Sequence, residues 1–206
     1  MTTVTDILTF WFGDHFEHGM PVTDRSELWF GFNPKNDRLI QDRFEKEVAK
    51  AARGDYEAWK ESAEGRLALI ILLDQFPRNI YRGFQKAFAY DRHALQLCLE
   101  GLALEQDKQL IPVYRSFFYL PLEHSESLPL QQHSVDLFRD FHDQAEPVIR
   151  AVIKRSLDFA QLHFNIIQQF GRFPHRNEAL GRVSTPEEEA FLKNSAVNFG
   201  QTNSDS

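Results

Sequence analysis

Apolar residues recur along most of the chain at the three-to-four-residue spacing of an amphipathic α-helix, with charged residues between them. In one clear example, Ile40, Phe44 and Val48 share a helix face whose opposite side is charged. This pattern predicts helices over residues 5–12, 36–52, 56–73, 85–105, 112–119, 130–145, 147–170 and 186–194. No alternation typical of a β-strand accompanies them, so we predict an all-α protein.

Capping residues and prolines predict where these helices begin and end. Thr5 and Thr185 have the side chains that favour the N-cap position, and Thr185 is followed by a proline and glutamates. Pro77 is expected to stop the long helix before it, because proline lacks an N–H and clashes with the preceding turn. Pro121 and Pro129 are expected to frame a loop.

The length of 206 residues favours a single domain, which we place at residues 1–194, followed by a polar and disordered tail at 195–206. A formal charge of −7 argues against nucleic-acid partners and anionic membranes. The longest apolar run, Leu67 to Leu73, is too short to span a membrane. Cys98 is the only cysteine and the N-terminus lacks a signal peptide, so a cytoplasmic location is expected.

Two long helices end in similar segments. Residues 73–79 read Leu-Asp-Gln-Phe-Pro-Arg-Asn, and residues 170–177 read Phe-Gly-Arg-Phe-Pro-His-Arg-Asn. Together with residues 8–13, 119–126 and 180–185, these motifs resemble the bacterial Domain of Unknown Function 924 family over nearly the whole chain. The resemblance implies a superhelix of antiparallel helix pairs, similar to tetratricopeptide (TPR) repeats, with about 8–9 helices. It implies no reaction.

Arginine is concentrated in the two Phe-Pro segments. Residues 74–82 and 171–182 hold five of the chain's arginines, no lysine, and two acidic residues. Arginine without lysine indicates planar, bidentate recognition of a carboxylate or phosphate. If the two segments face each other, they form an anion-binding cleft. The alternative is that these arginines cap helix carbonyls and pair with nearby acidic residues.

The sequence Glu-His-Ser-Glu at residues 123–126 is the second candidate. A histidine oriented by a carboxylate is a general base, so His124, His175 and Glu123 are the candidate catalytic residues. There are two structural alternatives. In one, the two glutamates of this motif only pair with the arginines, and in the other, His163 is a half-buried histidine whose hydrogen bonds are satisfied within the protein. The candidate ligand-binding residues are Asp74, Arg78, Asn79, Glu126, His163, Arg172, Arg176 and Asn177. No metal-binding or phosphate-loop motif is present, so we expect no metal and no cofactor.

Three hypotheses of function follow. In the first, a small anionic molecule binds the arginines in an enclosed pocket, with a histidine as acid or base and the reaction open. In the second, the chain is a TPR-like scaffold whose groove binds an acidic peptide without catalysis. In the third, the paired arginines only tie helix ends together. The sequence decides neither whether the protein is an enzyme nor what its oligomeric state is.

Overall fold

The computed structural model describes residues 2–194 and confirms the all-α class. Across those residues nine continuous helices occur, one of them with an irregular centre that divides it into α4 and α5. The helices are α1 (Val4–Phe12), α2 (Ser26–Phe30), α3 (Pro34–Arg53), α4 (Ala63–Ile70), α5 (Phe76–Ile80), α6 (Asp91–Ala103), α7 (Pro112–Glu123), α8 (Leu128–Gln144), α9 (Pro147–Phe170) and α10 (Pro186–Asn194). The TPR-like superhelix stays a prediction, as does the single domain. The predicted tail at 195–206 lies outside the described residues.

A small hairpin near the N-terminus corrects the expectation that no strand is present. The strands β1 (Phe16–Glu17) and β2 (Met20–Pro21) pair in antiparallel fashion. Gly19 has a φ of 73°, and a Cβ there would lie 2.1 Å from the ring of Pro112, so only glycine fits this turn. Each strand is only two residues long, so the sequence shows no alternation of apolar and polar residues from which it could be predicted.

The predicted N-cap residue is confirmed for the last helix of the chain and is wrong for the first. The hydroxyl of Thr185 accepts a hydrogen bond from the backbone N–H of Glu188, and α9 has the bounds predicted for it. At α1 the N-cap is Thr3 and not Thr5, because Thr3 and Asp6 form a reciprocal capping box.

Proline does not end the helices at Pro77 and Pro121 as predicted. A π-helical segment, Ile71–Gln75, joins α4 to α5, and Pro77 lies in the first turn of α5. The wider π turn bonds residue i to i−5, which removes the clash that proline makes in a regular α-helix. Pro121 lies inside the last turn of α7, so Glu123 ends that helix and does not belong to a loop. The predicted loop is therefore shortened to the residues between α7 and α8.

The core lies between the helices and is rich in aromatic side chains. Helices α8 and α9 pack together across a short connection and are therefore antiparallel neighbours, and α7 packs against α8. Trp11, Phe76 and Phe117 form edge-to-face contacts that join α1, α5 and α7. The start of α6 lies beside α5, because Asp91 of α6 pairs with Arg78 of α5.

No helix within residues 2–194 is both long enough and apolar enough to cross a membrane.

Candidate functional site

Five polar side chains meet where several helices end. Asp74 comes from the π segment, Arg78 from α5, Asp91 from the first position of α6, His124 from the residue after α7, and Arg176 from a short 3-10 helix after α9. We call these five residues the central cluster. The two Phe-Pro segments thus converge, since Arg78 and Arg176 both contact the carboxylate of Asp91.

Asp74 and His124 form a buried carboxylate–imidazole pair. Nδ1 of His124 lies 2.7 Å from Oδ1 of Asp74, whose side chain is fully buried. Burial alone would raise the pKa of Asp74, but Arg78 and His124 hold it well below its usual range. The ionised carboxylate accepts the Nδ1 proton, so Nε2 is the basic nitrogen of the neutral ring. Burial and the charge of Arg78 lower the pKa of His124 and keep that ring neutral.

Asp91 bridges the two arginines. It accepts hydrogen bonds from both terminal nitrogens of Arg78, at 2.9 and 3.0 Å, and a longer one of 3.3 Å from Nη1 of Arg176. Arg78 also lies 3.4 Å from Oδ1 of Asp74. Burial would lower the pKa of Arg78, but these two carboxylates raise it. Both terminal nitrogens of Arg78 are therefore engaged inside the protein.

Arg176 is buried and only partly engaged. Its guanidinium carbon lies 4.4 Å from the ring centre of Phe173 and 4.8 Å from that of Phe88. Nη1 donates to the backbone oxygen of His124 at 3.0 Å, whereas the buried Nε–H has no hydrogen-bond acceptor among the described residues. Burial lowers the pKa of Arg176 to about 10, although Asp91 opposes the shift. A buried guanidinium with an unused N–H donor is costly to the folded protein.

Three further titratable groups surround the central cluster, and burial disfavours the charged form of each. Burial and the charge of Asp74 raise the pKa of Glu123 well above its ordinary value, and its carboxyl lies 3.2 Å from Nδ1 of His163. Burial lowers the pKa of His163 to about 3, and its Nδ1 also lies 2.8 Å from the backbone oxygen of Phe159. Burial and the charge of Arg176 lower the pKa of His175 well below its usual range. Within the central cluster itself, the carboxylates of Asp74 and Asp91 are equal in number to the guanidiniums of Arg78 and Arg176, with which they pair.

The remaining sequence candidates lie at different places. Glu126 accepts two hydrogen bonds from Arg182 and one from the backbone of Phe173, so it fixes the second Phe-Pro segment. Arg172 is not part of the central cluster, because it donates to both oxygens of Glu188 at 2.6 and 2.7 Å.

Two asparagine candidates also lie outside the central cluster. The amide of Asn177 donates to Ser184 and to Glu188, on the side of the second Phe-Pro segment that faces α10. Asn79 is buried in α5, next to Arg78. Neither asparagine makes a hydrogen bond to the five cluster residues among the contacts of residues 2–194.

Two hollows among the described residues are not lined by Arg78 or Arg176. One is a minute space beside Tyr56 and Leu73, and the other is a surface hollow of about 490 Å³ against α10. The side chains of Phe88 and Asp91 lie where the pocket was expected, against the guanidiniums of Arg78 and Arg176. Neither residue was a candidate in the sequence analysis. Phe88 has the features of a core aromatic residue, and Asp91 those of an acidic residue at a helix N-terminus.

Among residues 2–194, no group of three or more His, Cys, Asp or Glu side chains is placed to hold a metal ion. The central cluster itself holds one imidazole, two carboxylates and two guanidiniums, which are groups able to transfer a proton and to bind an anion.

Comparison with known proteins gives a family and a fold. A structure titled as a protein of unknown function from Agrobacterium tumefaciens is 35% identical, covers 93% of this chain and 97% of its own, and superposes with a TM-score of 0.78. The phosphoribosylaminoimidazole-succinocarboxamide synthase of Candida albicans is 23% identical over 89% of this chain, which spans 65% of the length of that protein. The model of the bacterial proteins of unknown function named DUF924 matches residues 7–196. The chain belongs to the DUF924 family.

Proposed function

We propose that the central cluster is the active site of an acid–base enzyme whose substrate is a small molecule with a carboxylate or phosphate group. Arg176 binds the anionic group, His124 transfers a proton, and Asp74 positions His124. The observation that carries the proposal is the buried Nε–H of Arg176, which has no acceptor among residues 2–194. Nη1 of the same guanidinium donates to the backbone oxygen of His124, whose ring is oriented by Asp74. An anionic oxygen of the ligand supplies the acceptor that Nε–H lacks.

The pairing of Asp74 with His124 supports a role in proton transfer. A carboxylate that accepts the Nδ1 proton fixes the ring and leaves Nε2 as the base. Asp74 lies in the π-helical segment, and such segments occur frequently at functional sites. Protonation of His124 during the reaction is stabilised by the charge of Asp74 at 2.7 Å.

Burial favours a small molecule over an acidic peptide. The side chains of Arg78 and Arg176 are only 12% and 7% exposed. A peptide in an open groove does not reach buried guanidiniums, whereas a small anion does once the residues above them move. The predicted TPR-like arrangement and cytoplasmic location are part of this proposal and are compatible with it.

The first experiment is a thermal-unfolding screen of the wild-type protein against phosphorylated metabolites and mono- and dicarboxylic acids. The name of the Candida albicans relative contains phosphoribosyl and succino groups, so compounds of both kinds belong in the panel. A ligand at 100 times its Kd stabilises by about 2.7 kcal/mol, which raises Tm by about 5–10 °C at this chain length. Arg176→Lys keeps the charge but removes the planar N–H fork, so it should abolish the shift.

Arg66→Lys is the matched control, because Arg66 is also a buried arginine but bonds to Gln106 and to backbone oxygens elsewhere. It should lower Tm and leave the ligand shift intact. A panel with no shift, or a shift that survives in Arg176→Lys, would refute anion binding at this site.

Turnover of the identified ligand, followed by NMR, tests the catalytic part. We expect turnover to fall by about 100-fold or more in His124→Gln and to be unchanged in His133→Gln, which alters an exposed histidine. A ligand that binds at Arg176 but is never converted would refute the enzyme and leave a binding protein.

A further inference from the structure

Asp91 lies in the position that a bound anion would take. Its carboxylate accepts two hydrogen bonds from Arg78 and one from Arg176, which is the donor set expected around a ligand carboxylate or phosphate. The bond to Arg176 is long, at 3.3 Å, and leaves the Nε–H of that residue without an acceptor. The internal carboxylate thus fits Arg78 well and Arg176 poorly.

The charge balance of the central cluster restricts how an external anion enters. The buried carboxylate of Asp74 and the partly exposed carboxylate of Asp91 are matched by the guanidiniums of Arg78 and Arg176. One more anion would leave a buried negative charge unpaired, which costs several kcal/mol. Exchange of the anion for one of the two carboxylates avoids that cost.

Asp91 is the carboxylate that can leave. Its side chain is 21% exposed, whereas that of Asp74 is fully buried and bonded to His124. Asp91 is also the first residue of α6, where a carboxylate turned toward water remains stabilised by the N–H groups of the helix N-terminus. It therefore has a second favourable position outside the cluster.

Phe88 is coupled to the same movement. It precedes Asp91 by three residues and lies over both guanidiniums, 5.7 Å from that of Arg78 and 4.8 Å from that of Arg176. A shift of the segment 85–91 that turns Asp91 outward also uncovers Arg176.

We propose that Asp91 is a built-in competitor, an internal anion that occupies the guanidinium pair until the carboxylate or phosphate of the ligand displaces it. This inference rests on the proposed function and adds its regulation: affinity is set by the exchange of one carboxylate for another. Removal of the negative charge of Asp91 should therefore strengthen anion binding, whereas loss of an ordinary contact residue weakens it.

The test is calorimetric titration of wild-type protein, Asp91→Asn and Asp37→Asn with inorganic phosphate at constant ionic strength. Asp37 is a matched control, because it accepts two 2.9 Å hydrogen bonds from Arg82 and its side chain is 17% exposed. We expect Asp91→Asn to bind phosphate about tenfold more tightly than wild type and Asp37→Asn to match wild type. If Asp91→Asn does not fold, Asp91→Ser replaces it, since serine also caps a helix N-terminus.

The outcomes separate this inference from the proposed function. If Asp91→Asn binds phosphate more tightly than wild type and Asp37→Asn does not, the result supports the exchange of Asp91 for the anion. The same conclusion holds if wild type binds too weakly to measure. Binding to wild type that is lost in Arg176→Lys, with equal or weaker binding in Asp91→Asn, overturns the exchange and leaves the anion site. No binding to either wild type or Asp91→Asn overturns both.

Discussion

Replacement of each central arginine by methionine distinguishes a ligand site from a structural tie without any ligand. Arg78 pairs with both carboxylates of the cluster, so Arg78→Met leaves the fully buried charge of Asp74 without its cation. Breaking a buried pair in this way costs about 3–5 kcal/mol. At this chain length each kcal/mol lowers Tm by about 2–4 °C, so we expect a fall of about 6–20 °C.

Arg176→Met should behave differently. The substitution removes one 3.0 Å hydrogen bond to a backbone oxygen and one long bond to Asp91, worth about 1.5–3 kcal/mol for a charged donor. It also relieves the burial of a guanidinium and of an unsatisfied N–H, which together cost a similar or larger amount. Methionine keeps the apolar contact with Phe88 and Phe173. Asp91 loses one of its two cations but keeps Arg78 and is 21% exposed, so we expect the free energy of unfolding to fall by only about 1–2 kcal/mol, less than in Arg78→Met.

The assay is urea unfolding at pH 7, followed by circular dichroism, for wild type and both variants. If the free energy of unfolding falls with urea concentration at the same slope in all three proteins, unfolding exposes the same amount of surface in each and their stabilities can be compared directly. A loss of 3 kcal/mol or more in Arg176→Met, equal to that in Arg78→Met, would show that Arg176 is a structural tie and would refute the reasoning.

Four further predictions concern stability and reactivity. Below pH 6.5 the unfolded chain protonates its histidines, while buried His163 has a pKa of about 3, so stability should fall as the pH is lowered from 6.5. Glu123 acts in the opposite direction, because burial raises its pKa in the folded protein. Its contribution to stability is full below the unfolded pKa of about 4.3 and is lost as the pH rises above it, so the free energy of unfolding measured in urea should fall less with rising pH in Glu123→Gln than in wild type. Glu188→Gln should cost about 1.5–3 kcal/mol in urea unfolding, since it weakens the bidentate pair with Arg172, and an unchanged midpoint would contradict this. Cys98 should react with a thiol reagent only in unfolded protein, because burial raises its pKa; rapid labelling of the native protein would argue against the buried position.

Much of the fold was predictable because helix periodicity and caps are local signals. The bounds of α9 and the cap at Thr185 follow from apolar spacing, a proline and a hydroxyl within a few residues of each other. The continuation of the helix through Pro77 was not predictable, because it depends on a π turn that tertiary packing stabilises. The hairpin around Gly19 depends on contact with Pro112, which is distant in sequence.

The candidate site was predictable in part for a similar reason. The repeated Phe-Pro segments identified Arg78 and Arg176, and the Glu-His-Ser-Glu motif identified His124. Arg172 looks equivalent in sequence, but the partner that it binds lies in α10. Asp91 carries no local signal beyond its place at a helix start, since its role depends on two arginines that only the fold brings together.

The most direct measurement is the ¹H–¹⁵N NMR signal of the Arg176 side-chain Nε–H, assigned by its loss in Arg176→Lys and followed as inorganic phosphate and then succinate are added. The account predicts that this donor gains an acceptor: its proton signal should move downfield with a saturable dependence on the anion, and its exchange with water should slow. A signal that stays in place while both anions are raised, or one that moves no further than those of exposed arginines such as Arg139, would contradict the claim that this buried group binds an anion.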